Sequence, residues 1–269
     1  MRIALIFLFI LTGRLLTCAQ SGNWEVYLAR YDDGPGSTIL NMDLIRSAPK
    51  KELPYLLITG VTYTACDKDG FPYKKEFDKL YEISDQVIET MAGITKYEHA
   101  GSFTHGCERL DYLYLHDTLG IRKKLENLYT EKFKPYKYQI GITADTAWDA
   151  YLRFLYPNEE TLEFMNNSKV LDRLSAAGDK LIKARPIDHW LYFSTLKDRD
   201  AFIRYAEQEK FIVVSKEYLK ESEQPYQLKI SRTDPVDPES LLKLTLGLRK
   251  KAKELKGQYD GWESVVLKD

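Results

Sequence analysis

Residues 185–214, RPIDHWLYFSTLKDRDAFIRYAEQEKFIVV, decide the fold. Ile187 to Phe193 is dense in aromatic and aliphatic side chains that favour a strand. Thr195 is a good N-cap, and Asp198, three residues on, places negative charge in the first helical turn. Phe202, Tyr205 and Ala206 recur with helical spacing, and Phe211 to Val214 is a second apolar run. Strand, turn, helix and strand therefore follow one another within thirty residues.

The remainder of the C-terminal half completes this unit. Phe211–Leu219 and Tyr226–Ser231 read as a hairpin. Asp237-Pro238 opens a helix, with Asp as N-cap and Pro at the first helical position, and that helix runs to Gly257. Trp262–Leu267 reads as the closing strand. The N-terminal half repeats the order. Pro54–Thr64 is a strand, Tyr73–Met91 an amphipathic helix, and Lys96–Thr104 and Arg109–Leu115 two strands around a His105-Gly106 turn. Asp117 caps a helix carrying Ile121, Leu125 and Leu128 on one face, and Tyr136–Ile142 is a strand. Two further strands precede this unit: Asn23–Tyr31, with Trp24, Val26 and Leu28 as its expected buried side, and Thr38–Leu44. The fold class expected is α+β, with two tandem ferredoxin-like (βαββαβ) domains joined by a helical connector. The expected boundaries are 1–19 for a leader, 20–143 for the first domain, 144–159 for the connector and 160–269 for the second domain. Trp148 and Phe154 make the connector too apolar for a floppy linker.

The chain is 44% hydrophobic and 13% aromatic, enough for a substantial core. It carries 39 basic and 40 acidic side chains, a net charge of −1. Neither half has the basic excess of a nucleic-acid binder, so nucleic acid is disfavoured as a partner. Residues 1–19 combine a positive start, an apolar run from Ile3 to Leu11 that is too short to span a bilayer, and a Thr17-Cys18-Ala19 cleavage signature. This predicts export to the periplasm or beyond, with cleavage after Ala19. The alternatives are a lipoprotein anchored at Cys18 and a cytoplasmic protein whose leader is not used. No membrane-spanning segment is expected in the mature chain.

The sequence holds no HExxH, GxSxG, CxxC, Walker loop or dinucleotide fingerprint, so no catalytic set, cofactor or metal is predicted. Asp32–Ser37 and Asp67–Gly70 read as turns rather than as phosphate or calcium loops. His99, His105, Cys107 and His116 cluster around one hairpin, but their spacing favours ordinary polar roles over a metal site or a Cys107 nucleophile. Asp188 and His189 are adjacent on a strand, point to opposite faces and so cannot act as a dyad. Tyr112 with Tyr114, and Trp190 with Tyr192, share faces and are expected to be buried between sheets, with Trp190 an anchor of the C-terminal core or of the contact between the domains. Asp188, His189, Trp190, Tyr192, Asp260 and Trp262 are the candidate interaction or core residues. Arg249, Lys250, Lys251, Lys253 and Lys256 form a weak basic patch that reads chiefly as a solvated helix face.

In a ferredoxin-like unit the first and third strands are antiparallel neighbours. Cys66 follows the end of the first by two residues, and Cys107 precedes the start of the third by two. The fold therefore predicts a Cys66–Cys107 disulfide, provided the compartment is oxidising.

Two family resemblances cover most of the mature chain. NWEVYLARYDDGP, LPYLLITGVTY and GSFTHGCERLDYLYL resemble the bacterial domain of unknown function 695, across residues of about 23–143. VLDRLSAAGDKLIKARPIDHWLYFSTLKDRDAFIRYAEQEKF and the terminal YDGWESVVL resemble the regulator of ribonuclease E activity B (RraB) family, across about 160–269. The second resemblance implies a ferredoxin-like, non-enzymatic protein whose relatives bind ribonuclease E and restrain RNA decay. Those relatives are strongly acidic and meet a cytoplasmic target, whereas this chain is near neutral and carries an export-type leader. The expected function is non-catalytic binding of an unidentified protein through a sheet edge or a groove between the domains. A cytoplasmic regulator of ribonuclease E-type decay is the alternative, and a hydrolase using His105 or Asp188 is the second alternative.

Overall fold

The computed structural model describes residues 22–268; the expected leader, its cleavage site and the lipid-anchor candidate Cys18 lie outside them. The chain divides into two compact units between Pro157 and Asn158.

The first unit opens with a hairpin of β1 (Trp24–Tyr31) and β2 (Gly34–Asn41), joined through Asp32-Asp33. It continues as β3 (Tyr55–Thr62), α1 (Lys74–Ala92), β4 (Tyr97–His105), β5 (Glu108–Leu115), α2 (Ile121–Lys132) and β6 (Lys137–Ala144). The antiparallel sheet has the order β1-β2-β4-β5-β3-β6. Its last four strands are the expected ferredoxin-like core, extended at one edge by the hairpin. α1 and α2 pack on one face, where Leu57, Val61, Leu113 and Leu115 of the sheet meet Leu80, Val87, Met91, Leu125 and Tyr129 of the helices. Strand alternation sends Leu56, Tyr112 and Tyr114 to the other face.

That second face is covered by the chain after β6. Residues 145–157, expected to belong to the connector, pack here as part of the first unit and include a π-helix, Ala150–Leu155. Trp148 is fully buried and stacks on Tyr114 with ring centroids 3.9 Å apart. Its indole N–H donates to Leu53 O at 3.1 Å. Trp148 takes a left-handed backbone (φ 58°), uncommon for a bulky residue and held here by burial of the ring. The cover reaches β1, where the Tyr27 hydroxyl donates to Leu155 O at 2.8 Å. It thereby inverts the burial expected of β1. Tyr27 and Ala29 are buried, whereas Val26 is 60% exposed because the hairpin extends beyond the helices on its side.

The second unit begins with α3 (Glu159–Ala176), capped by Asn158, whose side chain accepts from Thr161 N. Then come β7 (Arg185–Phe193), α4 (Leu196–Gln208), β8 (Ile212–Tyr218), β9 (Tyr226–Asp234), α5 (Pro238–Glu254) and β10 (Gly257–Ser264). The sheet order β10-β7-β9-β8 is again ferredoxin-like. Thr195 and Asp237 cap α4 and α5 as expected. Leu191, Phe193, Leu228, Ile230 and Tyr259 of the sheet pack on Phe202, Ala206, Leu248 and Ala252 of the helices. The supplementary helix α3 joins a smaller cluster of Leu171, Leu174, Ile187, Leu241 and Trp262. The segment after β10 is pinned by a buried pair. Arg185 forms a bidentate salt bridge with Asp179, and Asp179 also accepts from Leu267 N at 2.7 Å. The Arg185 contact holds the Asp179 carboxyl well below the usual carboxylate range.

Cys66 and Cys107 are disulfide-bonded, with a Cα separation of 5.7 Å. The bond lies where the β3–β5 pairing puts it, since Thr62 faces Glu108 across the ladder. Backbone bonds surround it: Cys107 N donates to Gly70 O and Tyr63 N to Cys107 O, both at 2.9 Å. Gly70 has φ +84°, and a Cβ there would come within 2.7 Å of Gly106 N, so the contact requires glycine. The bridge spans 41 residues, which the chain-entropy relation converts to about 4 kcal/mol. The Cys66→Ser/Cys107→Ser double variant should lose stability of that order in chemical denaturation. Protein isolated from the native host and denatured without reductant should show neither thiol free.

Candidate protein-binding face of the C-terminal sheet

Alternation along β7 sets the site. Ile187, His189, Leu191 and Phe193 face the helices. Asp188, Trp190 and Tyr192 face the other way, and no element of the second unit covers that face. Cross-strand neighbours add Gln227, Lys229 and Ser231 from β9 and Glu263 from β10. Lys229 is central. Its ammonium lies 2.7 Å from Asp188 Oδ2 and 3.0 Å from Glu263 Oε1. It also stands 4.6 Å from the centroid of the Trp190 ring, within cation–π range. The Asp188 carboxylate and then Glu263 raise the Lys229 pKa, so the amine stays charged. Burial pushes the Asp188 carboxyl upward, but Lys229 and Ser231 together hold it below its ordinary value. The Tyr192 hydroxyl accepts from Gln227 Nε2 at 3.0 Å.

The face thus combines two half-buried aromatic rings with a satisfied charge triad. Trp190 is half-buried and is not enclosed in the core of its own unit. Four strands with both helices on one side leave its face uncovered within the unit. Tyr112 and Tyr114 are buried, though beneath residues 145–157 and not between sheets.

The other candidates fall elsewhere. His189 is fully buried, on the opposite side of β7 from Asp188. Its Nδ1 meets the Tyr259 hydroxyl at 3.0 Å, while Nε2 is buried without a hydrogen bond. Trp262 is buried and donates to Asn167 Oδ1 at 2.8 Å, and Asn167 donates on to Thr245 at 2.9 Å. Asp260 is exposed at the β10 bulge, on the rim of a groove of about 320 Å³ whose floor includes Trp262 and Asn167. The basic patch is partly neutralised. Arg249 pairs with buried Glu163 at 2.6 Å, and Lys251 pairs with Glu254 at 3.0 Å. Lys250, Lys253 and Lys256 are exposed.

The histidine cluster is dispersed. His99 lies 3.7 Å from buried Asp111, which accepts from Ser102 at 2.6 Å. His105 sits between Pro35 O at 2.9 Å and Asp33 at 3.1 Å. His116 contacts Glu52 O at 2.9 Å, and Cys107 has no free thiol. Among the described residues, no group of three or more His, Cys, Asp or Glu could hold a metal ion, and no helix is long and apolar enough to cross a membrane. Two buried polar groups went unnoticed in the sequence. Glu163 on a helix, Asp179 in a loop and Arg185 at the start of β7 sit where charge ordinarily means exposure.

Residues 22–156, half of the chain, match the family model described as a family of unknown function, DUF695. The chain belongs to the DUF695 family. The match ends one residue short of the boundary of the first unit, so it includes the Trp148 cover. Residues 165–264 of this DUF695 protein match a second model, regulator of ribonuclease activity B (RraB). That match spans the whole uncovered face. No curated protein matches the chain. A crystal structure described as a glycine cleavage system transcriptional repressor aligns with 79% of this chain and 98% of its own, at 14% identity and a TM-score of 0.25.

Buried His189 makes the second unit acid-sensitive in a defined window. Burial lowers its pKa to about 4, against an ordinary value of 6.5. The folded state keeps the ring neutral while the unfolded chain takes up a proton below pH 6.5. Stability should therefore fall as pH drops from about 6.5 to 4, by about 3 kcal/mol from this residue, and flatten below. Denaturation curves across pH 4–7 should lose much of that slope in His189→Gln.

Proposed function

We propose that this protein is a non-catalytic regulator that acts by binding another protein, outside the cytoplasm, through the uncovered face of its C-terminal sheet. The observation that carries the reading is the Trp190–Lys229–Asp188–Glu263 group, lying on an uncovered face within the RraB-matching region. Half-buried aromatic side chains beside pre-paired charges suit protein recognition. The rings supply contact area at low entropic cost, and the charges tune orientation and encounter. The Cys66–Cys107 bond and the leader support an oxidising compartment.

A cytoplasmic regulator of ribonuclease activity is the second reading, favoured by the match of residues 165–264 to the regulator of ribonuclease activity B family. The two separate by compartment and by target. Thiol-blocking of intact cells and fractionation should find the processed chain, oxidised, in the envelope or medium. Purified protein should leave ribonuclease E cleavage of a model RNA unchanged. A chain starting at Met1 in the cytosol, with inhibition of cleavage, would establish the second reading instead.

Binding itself is tested with Trp190→Ala and Lys229→Glu. Partner capture from envelope extracts should drop at least about tenfold in each, as for interface anchors. Trp190→Ala should cost under about 1 kcal/mol of stability, well below the range for a buried core tryptophan. Undiminished capture by both variants would remove this face from the proposal.

A further inference from the structure

The geometry points to a homodimer formed by antiparallel pairing of β6 with β6 of a second copy about a two-fold axis at Gly141. β6 is an edge strand of the first sheet, bonded on one side to β3 and exposed along most of its length. Edge strands are usually blunted by bulges, prolines or inward charges. β8 and β10 in the other sheet both carry bulges. β6 has none: its eight residues run in unbroken register against β3, from Tyr55↔Ala144 to Thr62↔Lys137.

Parity fixes which of its backbone groups are free. Asp145 N donates to Pro54 O, and Thr59 Oγ1 reaches Gln139 O, so the odd-numbered residues turn their backbone groups toward β3. In an antiparallel ladder the groups alternate, so Tyr138, Ile140, Ile142 and Ala144 present N–H and C=O outward. A partner strand must bond through these same positions, and a two-fold centred on Gly141 does this. It sets Ile140 opposite Ile142 and Tyr138 opposite Ala144 as hydrogen-bonded pairs, for about eight new bonds. Gln139 then faces Thr143, and Gly141 faces itself at the close, non-hydrogen-bonded position.

The same register sets Lys137 opposite Asp145 of the second copy, at both ends of the ladder. The Asp145 carboxylate accepts from the Tyr114 hydroxyl, Asp149 N and Ala150 N of its own chain, so it brings a fixed negative charge to each end of the ladder, and this charge complementarity commits the edge to a second copy of this chain. β1, at the other edge of the sheet, lacks it: its charges, Glu25 and Arg30, have opposite parity and cannot face each other in any antiparallel register. Gly141 also leaves the axis open, since a Cβ there would have Ile58 O at 3.7 Å as its nearest contact, an ordinary approach.

The inference is tested on the purified chain by sedimentation and cysteine cross-linking. The parent protein should be dimeric at about 100 μM, since a dimer with Kd near 1 μM is mostly associated there. Gly141→Lys, which places two ammonium groups on the axis, should be monomeric at that concentration, with the unfolding midpoint that the parent shows when diluted to the monomer. Lys137→Glu should raise the dissociation constant about tenfold by opposing like charges. Gly141→Cys should cross-link to a dimer on mild oxidation, because its Cα atoms would lie about 4.5 Å apart. Gln139→Cys alone should not cross-link, and the Gln139→Cys/Thr143→Cys pair should. A monomeric parent would overturn the inference. So would a dimer that survives Gly141→Lys, or cross-linking through Gln139→Cys alone.

Discussion

A four-stranded antiparallel sheet with both helices on one side has a second face, and each unit of this protein is shaped by what becomes of it. Backbone pairing is complete on either face, so the question is one of side chains. They must be covered by more chain or be compatible with water. In the first unit the second face carries Tyr112, Tyr114, Phe103 and Tyr27, and the chain spends residues 145–157 on it. Trp148 fixes that cover by stacking on Tyr114, while the Tyr114 hydroxyl donates to Asp145 at 2.7 Å where the cover begins. In the second unit the corresponding face carries Asp188, Lys229 and Glu263, which satisfy one another, and Gln227, which donates to the Tyr192 hydroxyl. The first solution consumes the face; in the second, no element of the same unit is spent on it.

The places where the chain must turn or end are held by buried polar contacts and a covalent bond rather than by bulk apolar packing. The Cys66–Cys107 bond and the Gly70 carbonyl tie the loop after β3 to the tip of the β4–β5 hairpin. Asp179 and Arg185 fix the chain after β10 in the second unit. Such groups are costly to leave half-satisfied, so they select one arrangement of segments that hydrophobic contact alone would specify loosely.

Much of the architecture was legible because strands and helices announce themselves by period. The β7–α4–β8 run, its Thr195 cap and the alternation of Asp188 with His189 are local facts of the sequence. The disulfide was legible at second hand, through the strand order of the expected fold. What period cannot report is which of two faces a later segment will cover. Val26 and Tyr27 alternate equally well with their neighbours. Only the return of residues 145–157, more than a hundred residues on, makes Tyr27 the buried one. The same limit applies to Trp190, since an aromatic strand residue reads as core until it is known that its own unit supplies no layer above it. Glu163 was hidden for a related reason, because its partner Arg249 lies 86 residues away on another helix.

Parity also separates two kinds of surface that a sheet can offer. A face is recognised by its side chains, as at Trp190 and Lys229, and its specificity can change residue by residue without disturbing the ladder. An edge is recognised by its backbone, which is the same for every sequence, so specificity must come from register. On β6 that register follows from one residue's side-chain volume and from two charges of equal parity: Gly141 on the axis, and Lys137 and Asp145 eight residues apart. A one-residue slip would turn inward-facing groups toward the partner and exchange the faces of every side chain. A two-residue slip would keep the bonding but separate Lys137 from Asp145. The edge therefore has a single register that satisfies backbone, volume and charge together. This is a more restrictive condition than apolar exposure alone, and it distinguishes β6 from the β1 edge of the same sheet.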